Sequence, residues 1–236
     1  MKKFAFAILS LIFMLTHFPS NAQYQAKPTS NFGVTSDRSL LFPRNDGTSP
    51  GEIAAGLEGS PYLSEKWTTS RITMNNGSII DSIDLRLNVY KNEMHYRDKE
   101  IEYTIGAPKN IKEIALGNRK FIYYPLKSRD VISYNYFEVL AEGNTGFLVL
   151  YFIKVIEPTY NNPLDYGVKK GQLKLCERYF IKNGDSIIEI DKKGKSIFDD
   201  LGDKSDLLKK RIKEEDLSFK KKEDLIKIVS YMNEIN

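Results

Sequence analysis

The side chains best suited to chemistry are few in this sequence and far apart. Cys176 is the single cysteine among 236 residues, and the only histidines are His17 and His95. A cysteine nucleophile needs a base or a cation beside it. Cys176 lies in Leu173-Lys174-Leu175-Cys176-Glu177-Arg178-Tyr179, an alternating run that reads as strand, where a lone cysteine serves as a small buried hydrophobe. His95 stands beside Tyr96 in another strand-like run and is expected on a strand surface rather than in a triad, whose geometry must be assembled. The carboxylates come as neighbours, Asp199-Asp200, Glu214-Glu215-Asp216 and Glu223-Asp224, whereas glycoside hydrolysis needs two carboxyl groups opposed across a cleft. No Asp-x-Asp-x-Asp-Gly calcium loop, Gly-x-Ser-x-Gly elbow, Gly-x-x-x-x-Gly-Lys phosphate loop or Gly-x-Gly-x-x-Gly fingerprint is present. No catalytic residue, metal-ligand set or cofactor is therefore expected, which points away from an enzyme.

Aromatic side chains offer a different chemistry. Tyr123, Tyr124, Tyr134, Tyr136, Phe137, Tyr151 and Phe152 crowd the middle of the chain. On a pleated face such rings either pack inward, as strand propensity favours, or stack on sugars and anchor partner proteins. The candidate contact residues are Tyr123, Tyr134 and Tyr136, with Tyr160 and Tyr166 from the loop over 157–170. That loop carries Pro158, Asn161, Asn162, Pro163 and Gly167, and loops of this length are either functional or mobile.

The elements that position these rings are read from periodicity. Residues 1–22 have a basic start at Lys2-Lys3, an apolar run over 4–16 and Ser20-Asn21-Ala22, the pattern of a signal peptide cut between Ala22 and Gln23. Its removal would leave 214 residues with 33 basic and 31 acidic side chains, too balanced for a general nucleic-acid surface. The apolar run is too short to span a bilayer, so no transmembrane anchor is expected in the mature chain. Residues 23–58 are rich in Ser, Thr, Asn, Pro and Gly and read as a flexible extension that Leu40-Leu41-Phe42 would pin to the body.

Residues 59–191 alternate in period two between turn dipeptides such as Asn76-Gly77, Gly117-Asn118 and Gly184-Asp185, which marks an antiparallel β domain of hairpins. Phe147 to Phe152 is apolar almost throughout, as in a strand covered on both faces. Residues 192–236 become helical, with Ser205 and Ser218 as caps and an apolar stripe at Leu225, Ile228, Val229, Met232 and Ile235. The fold class is mainly β, an antiparallel sandwich or open barrel with short C-terminal helices packed on it, α+β overall.

Two tripeptides, Asp81-Ser82-Ile83 and Asp185-Ser186-Ile187, resemble the Asp-Ser/Thr-apolar acceptor of the general O-glycosylation system of exported Bacteroidota proteins. Ser186 follows a tight turn, while Ser82 falls within a long strand.

Gly59-Ser60-Pro61-Tyr62-Leu63, Leu85-Arg86-Leu87-Asn88-Val89-Tyr90 and the closing run from Asp224 to Asn233 resemble a family of uncharacterised secreted Bacteroidota proteins. The resemblance covers most of the chain after the leader. It implies export and a β-rich body with a helical end, and it brings no reaction.

The expected function is that of an exported, non-catalytic binding or accessory protein of the cell envelope, in the periplasm, on the outer-membrane surface or outside the cell, contacting another envelope protein. The alternative is a carbohydrate- or lipid-binding protein, or a carboxylate-dependent hydrolase, with an aromatic cleft. A pocket with two opposed buried carboxylates would mark the hydrolase. Intact mass spectrometry of the exported chain should show a start at Gln23 and added glycan mass at Ser82 or Ser186. A mass equal to the bare 23–236 chain would remove the glycan expectation.

Overall fold

The computed structural model describes residues 34–35, 38–41, 43–44, 57–158 and 170–235. The cleavage pair Ala22–Gln23 and the loop residues Tyr160 and Tyr166 lie outside them. Along the chain come β1 (Val34–Thr35), β2 (Pro43–Arg44), β3 (Leu57–Glu58), β4 (Thr68–Met74), β5 (Ile79–Asn88), β6 (Glu93–Asp98) and β7 (Ile101–Ile105). They are followed by β8 (Ile111–Leu116), β9 (Arg119–Ser128), β10 (Val131–Ala141), β11 (Thr145–Ile156), β12 (Gly171–Asn183) and β13 (Ser186–Glu189). Three helices close the chain: α1 (Lys195–Leu201), α2 (Ser205–Glu214) and α3 (Lys222–Ile235).

All the strands belong to one sheet, in the order β13-β12-β11-β10-β9-β8-β4-β5-β6-β7-β2, with β1 beside β5 and β3 beside β12. The hairpins expected from turn chemistry are there, and β8 returns to pair with β4 rather than with β7. The stretch expected to be a flexible extension contributes β1, β2 and β3, and Leu41 is buried in the core. Two-residue strands carry no periodicity, so a polar, proline-containing stretch hides them.

The sheet does not lie flat. In the strand order, β6 is five places from β10, about 24 Å at the usual spacing of about 4.8 Å. Yet Asn92, in the turn between β5 and β6, donates its side-chain amide to the Tyr134 carbonyl at 2.8 Å and accepts the Tyr136 N–H at 3.3 Å. The strands from β4 to β10 therefore curl into an open barrel. Its interior is one apolar cluster, with Ile72, Ile80, Leu85 and Met94 from the first strands and Tyr136, Val149 and Tyr151 from the later ones.

The same inner face continues past the curl, and there the helices cover it. Phe147 and Ile181 of the sheet pack against Ile197, Leu208, Leu225, Ile228, Val229 and Met232. α3 supplies four of these buried side chains, each contributing about 2 kcal/mol by area removed from water; α2 supplies Leu208 alone. Asn233 completes the docking, accepting the Thr145 N–H at 2.7 Å and donating to the Thr145 carbonyl at 2.8 Å. That approach leaves no room for a side chain at Gly143, whose Cβ would lie 2.8 Å from the Asn233 amide.

Ser205 begins α2 and makes no capping bond, contrary to expectation. Near α3, Ser218 accepts the Lys220 N–H at 3.2 Å while its own N–H donates to Asp224 at 3.0 Å. The exchange resembles a capping box placed just ahead of the helix.

One buried polar network joins sheet to helix. The Arg119 guanidinium grips both oxygens of Glu138 at 2.7 and 2.9 Å, and the Tyr151 hydroxyl donates to the same carboxylate at 2.6 Å. Lys222, at the start of α3, donates to the Tyr151 hydroxyl at 3.1 Å. Burial pushes the Glu138 carboxyl upward, but hydrogen bonds from Arg119 and Tyr151 and the nearby cations outweigh it, leaving the group below the usual carboxylate range. Its stabilising contribution is thus fully present above the unfolded-state value of about 4.3 and fades as the pH falls through the folded-state value. Glu138→Gln should cost about 2–3 kcal/mol in denaturant unfolding at neutral pH, because it strands the partly buried Arg119. The difference from wild type should shrink as the pH falls below 4, to the extent that Glu138 itself becomes protonated.

Candidate functional site

Two constellations compete for the role of site. The first surrounds His95, which is 0% exposed rather than lying on a strand surface. β6 carries His95 between Glu93 two residues before it and Glu102 across on β7, so both ring nitrogens meet carboxylates: Nδ1 at 2.7 Å from Glu102 and Nε2 at 3.2 Å from Glu93. Arg86 from β5 holds Glu102 with two hydrogen bonds, of 3.2 and 2.6 Å. Its guanidinium is clamped between the rings of Tyr62 and Trp67, 3.8 and 4.4 Å from their centroids. The segment bearing those rings is tied down by backbone bonds from Leu63 to Leu87 and from Val89 and Tyr90 to Pro61. Burial, then the Glu102 charge, pushes the Tyr62 phenol up to about 12, so it stays a neutral hydrogen donor.

A histidine between two carboxylates has the parts of an acid–base site, but the imidazole offers no surface to a substrate. The cluster is a lock that holds the 59–67 segment across β5 and β6. Among the described residues no group of three or more His, Cys, Asp or Glu is arranged to hold a metal ion. Sequence reasoning missed this cluster because it put His95 on an open strand surface, and alternation along β5 turns Arg86 to the polar face of its strand. What covers that face is a segment without periodicity.

The second constellation is open. β8 and β9 pair only from Ile114↔Phe121 to Leu116↔Arg119. Beyond that point β8 stays with β4 and β9 follows β10, so the sheet forks. A trough of about 780 Å³ opens at the fork and runs over the outer face of the later strands. Ile122, Val139 and Leu148 form its apolar floor, with Tyr124 along one side. Pro125 faces the fork and has no N–H to leave unpaired there.

The rim is cationic. Lys120 is held by Glu113 at 2.9 Å and by Glu142 at 2.7 Å. Among the described residues no carboxylate lies within ion-pairing distance of Lys109, Lys112 or Lys182. Lys109 lies 3.9 Å above the Tyr134 ring, and Lys182 lies 5.1 Å from the Tyr124 ring. The Tyr124 hydroxyl donates to Asp185 at 3.2 Å; burial, then this bond, pushes the phenol up, so it remains uncharged.

The structure brings together two of the aromatic residues singled out from the sequence. Tyr123 and Tyr134 stack at 5.6 Å and line the end of the trough. Tyr136 is not a contact residue: its ring packs against Tyr123 at 4.7 Å, but it is 2% exposed and belongs to the core. Lys109, Lys112 and Lys182 were not singled out, since they come from three separate elements and only the fork unites them. Both acceptor-like serines are exposed. Ser186 opens β13, and Ser82 sits at a bulge in β5 with φ 53°, which turns it outward from a strand expected to hide it. The Asp81 carboxylate is engaged by Arg71 at 2.6 Å and by the Ser82 N–H at 2.8 Å.

The Arg86 clamp makes a sharp expectation. Arg86→Ala empties the space between two rings and leaves Glu102 without its bidentate partner, at a cost of about 2–4 kcal/mol. Denaturant unfolding should register that loss, and limited proteolysis should cut first within 59–67.

No family model, no curated protein and no solved structure matches this chain.

Proposed function

We propose that this chain is an exported, non-catalytic binding protein of the cell envelope, and that the trough takes an extended acidic segment of a partner protein. The fork between β8 and β9 carries this reading. Where the two strands part, their facing backbone groups are not paired with each other, and main-chain hydrogen bonding to an added strand is a general route to peptide capture. Lysines at the rim suit acidic side chains on the incoming segment, and the Tyr123, Tyr124 and Tyr134 rings suit its apolar ones. The carboxylates beside it, Glu113 and Glu142, are both bound to Lys120 rather than opposed across a substrate space.

The test is affinity purification from detergent-solubilised envelopes, comparing wild type with a Tyr124→Ala, Lys112→Glu, Lys182→Glu variant. Wild type should return one or a few partners near equal stoichiometry, and the variant about tenfold less or lower, as expected for loss of an aromatic anchor and two charges. A wild-type chain that comes out alone ends the stable-partner reading. Partners retained by the variant would place the contact elsewhere.

A further inference from the structure

The hairpin formed by β9 and β10 outruns both of its neighbours. Its ladder continues to Val131↔Ser128, whereas β8 leaves β9 after Phe121 and β11 joins β10 only from Phe137. Tyr134 is tied to the body through the Asn92 bond to its carbonyl and Lys109 above its ring. Three residues beyond, about 10 Å at the strand rise, stands Val131. The turn is Arg129-Asp130, with Arg129 at φ 51°.

Val131 is 66% exposed and Ile132 61%. Being consecutive in a strand, they point to opposite faces, so the ribbon ends in an apolar wedge rather than in one wet and one dry side. Lys127, directly across from Ile132, and Arg129 in the turn are exposed beside it, with Asp130 as the single opposing charge. Among the described residues neither cation has an ion-pair partner.

We propose that this tip seats the protein on an anionic lipid bilayer. A convex wedge needs a medium that yields around it, which the acyl boundary of a membrane does and a flat protein surface does not. Two aliphatic side chains flanked by cations match the order of a bilayer surface: the apolar tips enter the acyl boundary, and Lys127 and Arg129 remain at the phosphate level. The contact would be reversible, since two side chains fall far short of a spanning segment. It stands independently of what fills the trough.

The experiment is co-sedimentation of the purified protein with vesicles of phosphatidylcholine alone and of phosphatidylcholine with one quarter phosphatidylglycerol. Wild type should bind the anionic vesicles at least about tenfold more strongly than the neutral ones, and less so in high salt. A Val131→Ser, Ile132→Ser variant should lose about tenfold or more on anionic vesicles while unfolding at the wild-type temperature, because both side chains are exposed. Lys127→Glu with Arg129→Glu should abolish the preference for the anionic lipid. Failure of wild type to bind anionic vesicles would overturn the proposal, as would equal binding by the serine variant. Self-association of wild type that the serine variant loses, without vesicle binding, would assign the tip to a second copy instead.

Discussion

A single long sheet has two faces, and this chain buries one of them by curling, while Phe137, Leu148, Leu150 and Phe180 form a separate buried cluster on the other. That constraint organises the rest. The hydrogen bonds from Asn92 to Tyr134 and Tyr136 mark where the curl brings distant strands together. Inside it lies the largest apolar cluster, to which β11 contributes Val149 and Tyr151. A curl that tight does not keep every strand pair intact along its length: β8 parts from β9 beyond Phe121, and β11 joins β10 only from Phe137. The fork, and hence the trough, is the geometric consequence of closing the inner face.

The helices solve what the curl leaves over. Beyond Val149 and Tyr151, which still face the barrel interior, the same face continues to Phe147 of β11 and Ile181 of β12, and α3 covers it there with Leu225, Ile228, Val229 and Met232. Between the two covered regions sits the Glu138 network, where Arg119, Tyr151 and Lys222 converge. A polar network at such a seam is costly unless every member is satisfied. Here the carboxylate accepts three hydrogen bonds, and the lysine of α3 reaches it through the tyrosine. The network thus ties the start of α3 to β10 and β11 through directional bonds.

Much of this architecture was legible in the sequence, because it rests on local rules. Period two and turn dipeptides located the hairpins, and the spacing of Leu225, Ile228, Val229 and Met232 located α3. The failures share a cause. His95 and Arg86 look like residues of a solvent-facing strand surface, yet Pro61, Tyr62 and Trp67 fold across them, and nothing in a short aperiodic segment foretells what it covers. Tyr136 looked like its neighbours Tyr123 and Tyr134; only the curl separates a ring in the interior from rings at its mouth. Pro125 lies inside β9, where a proline would ordinarily interrupt a central strand. In the fold it lies where β9 has already lost β8, so its missing N–H disrupts no ladder.

The trough and the wedge share that ribbon, and the sharing has a physical consequence. Taken alone, each contact is weak: exposed lysines are screened within about 8 Å at physiological salt, and two aliphatic side chains gain only about 3–6 kcal/mol before the cost of association. A partner whose acidic segment hangs from the same membrane would not pay for encounter twice. With the tip seated as proposed, the trough would be held about one ribbon length from the lipid surface, and the local concentration of the tethered segment there would be set by its linker, reaching millimolar for a short one. Under both proposals, two weak surfaces on one ribbon would act as a coincidence reader, retaining the protein where lipid and partner occur together and releasing it where only one is found.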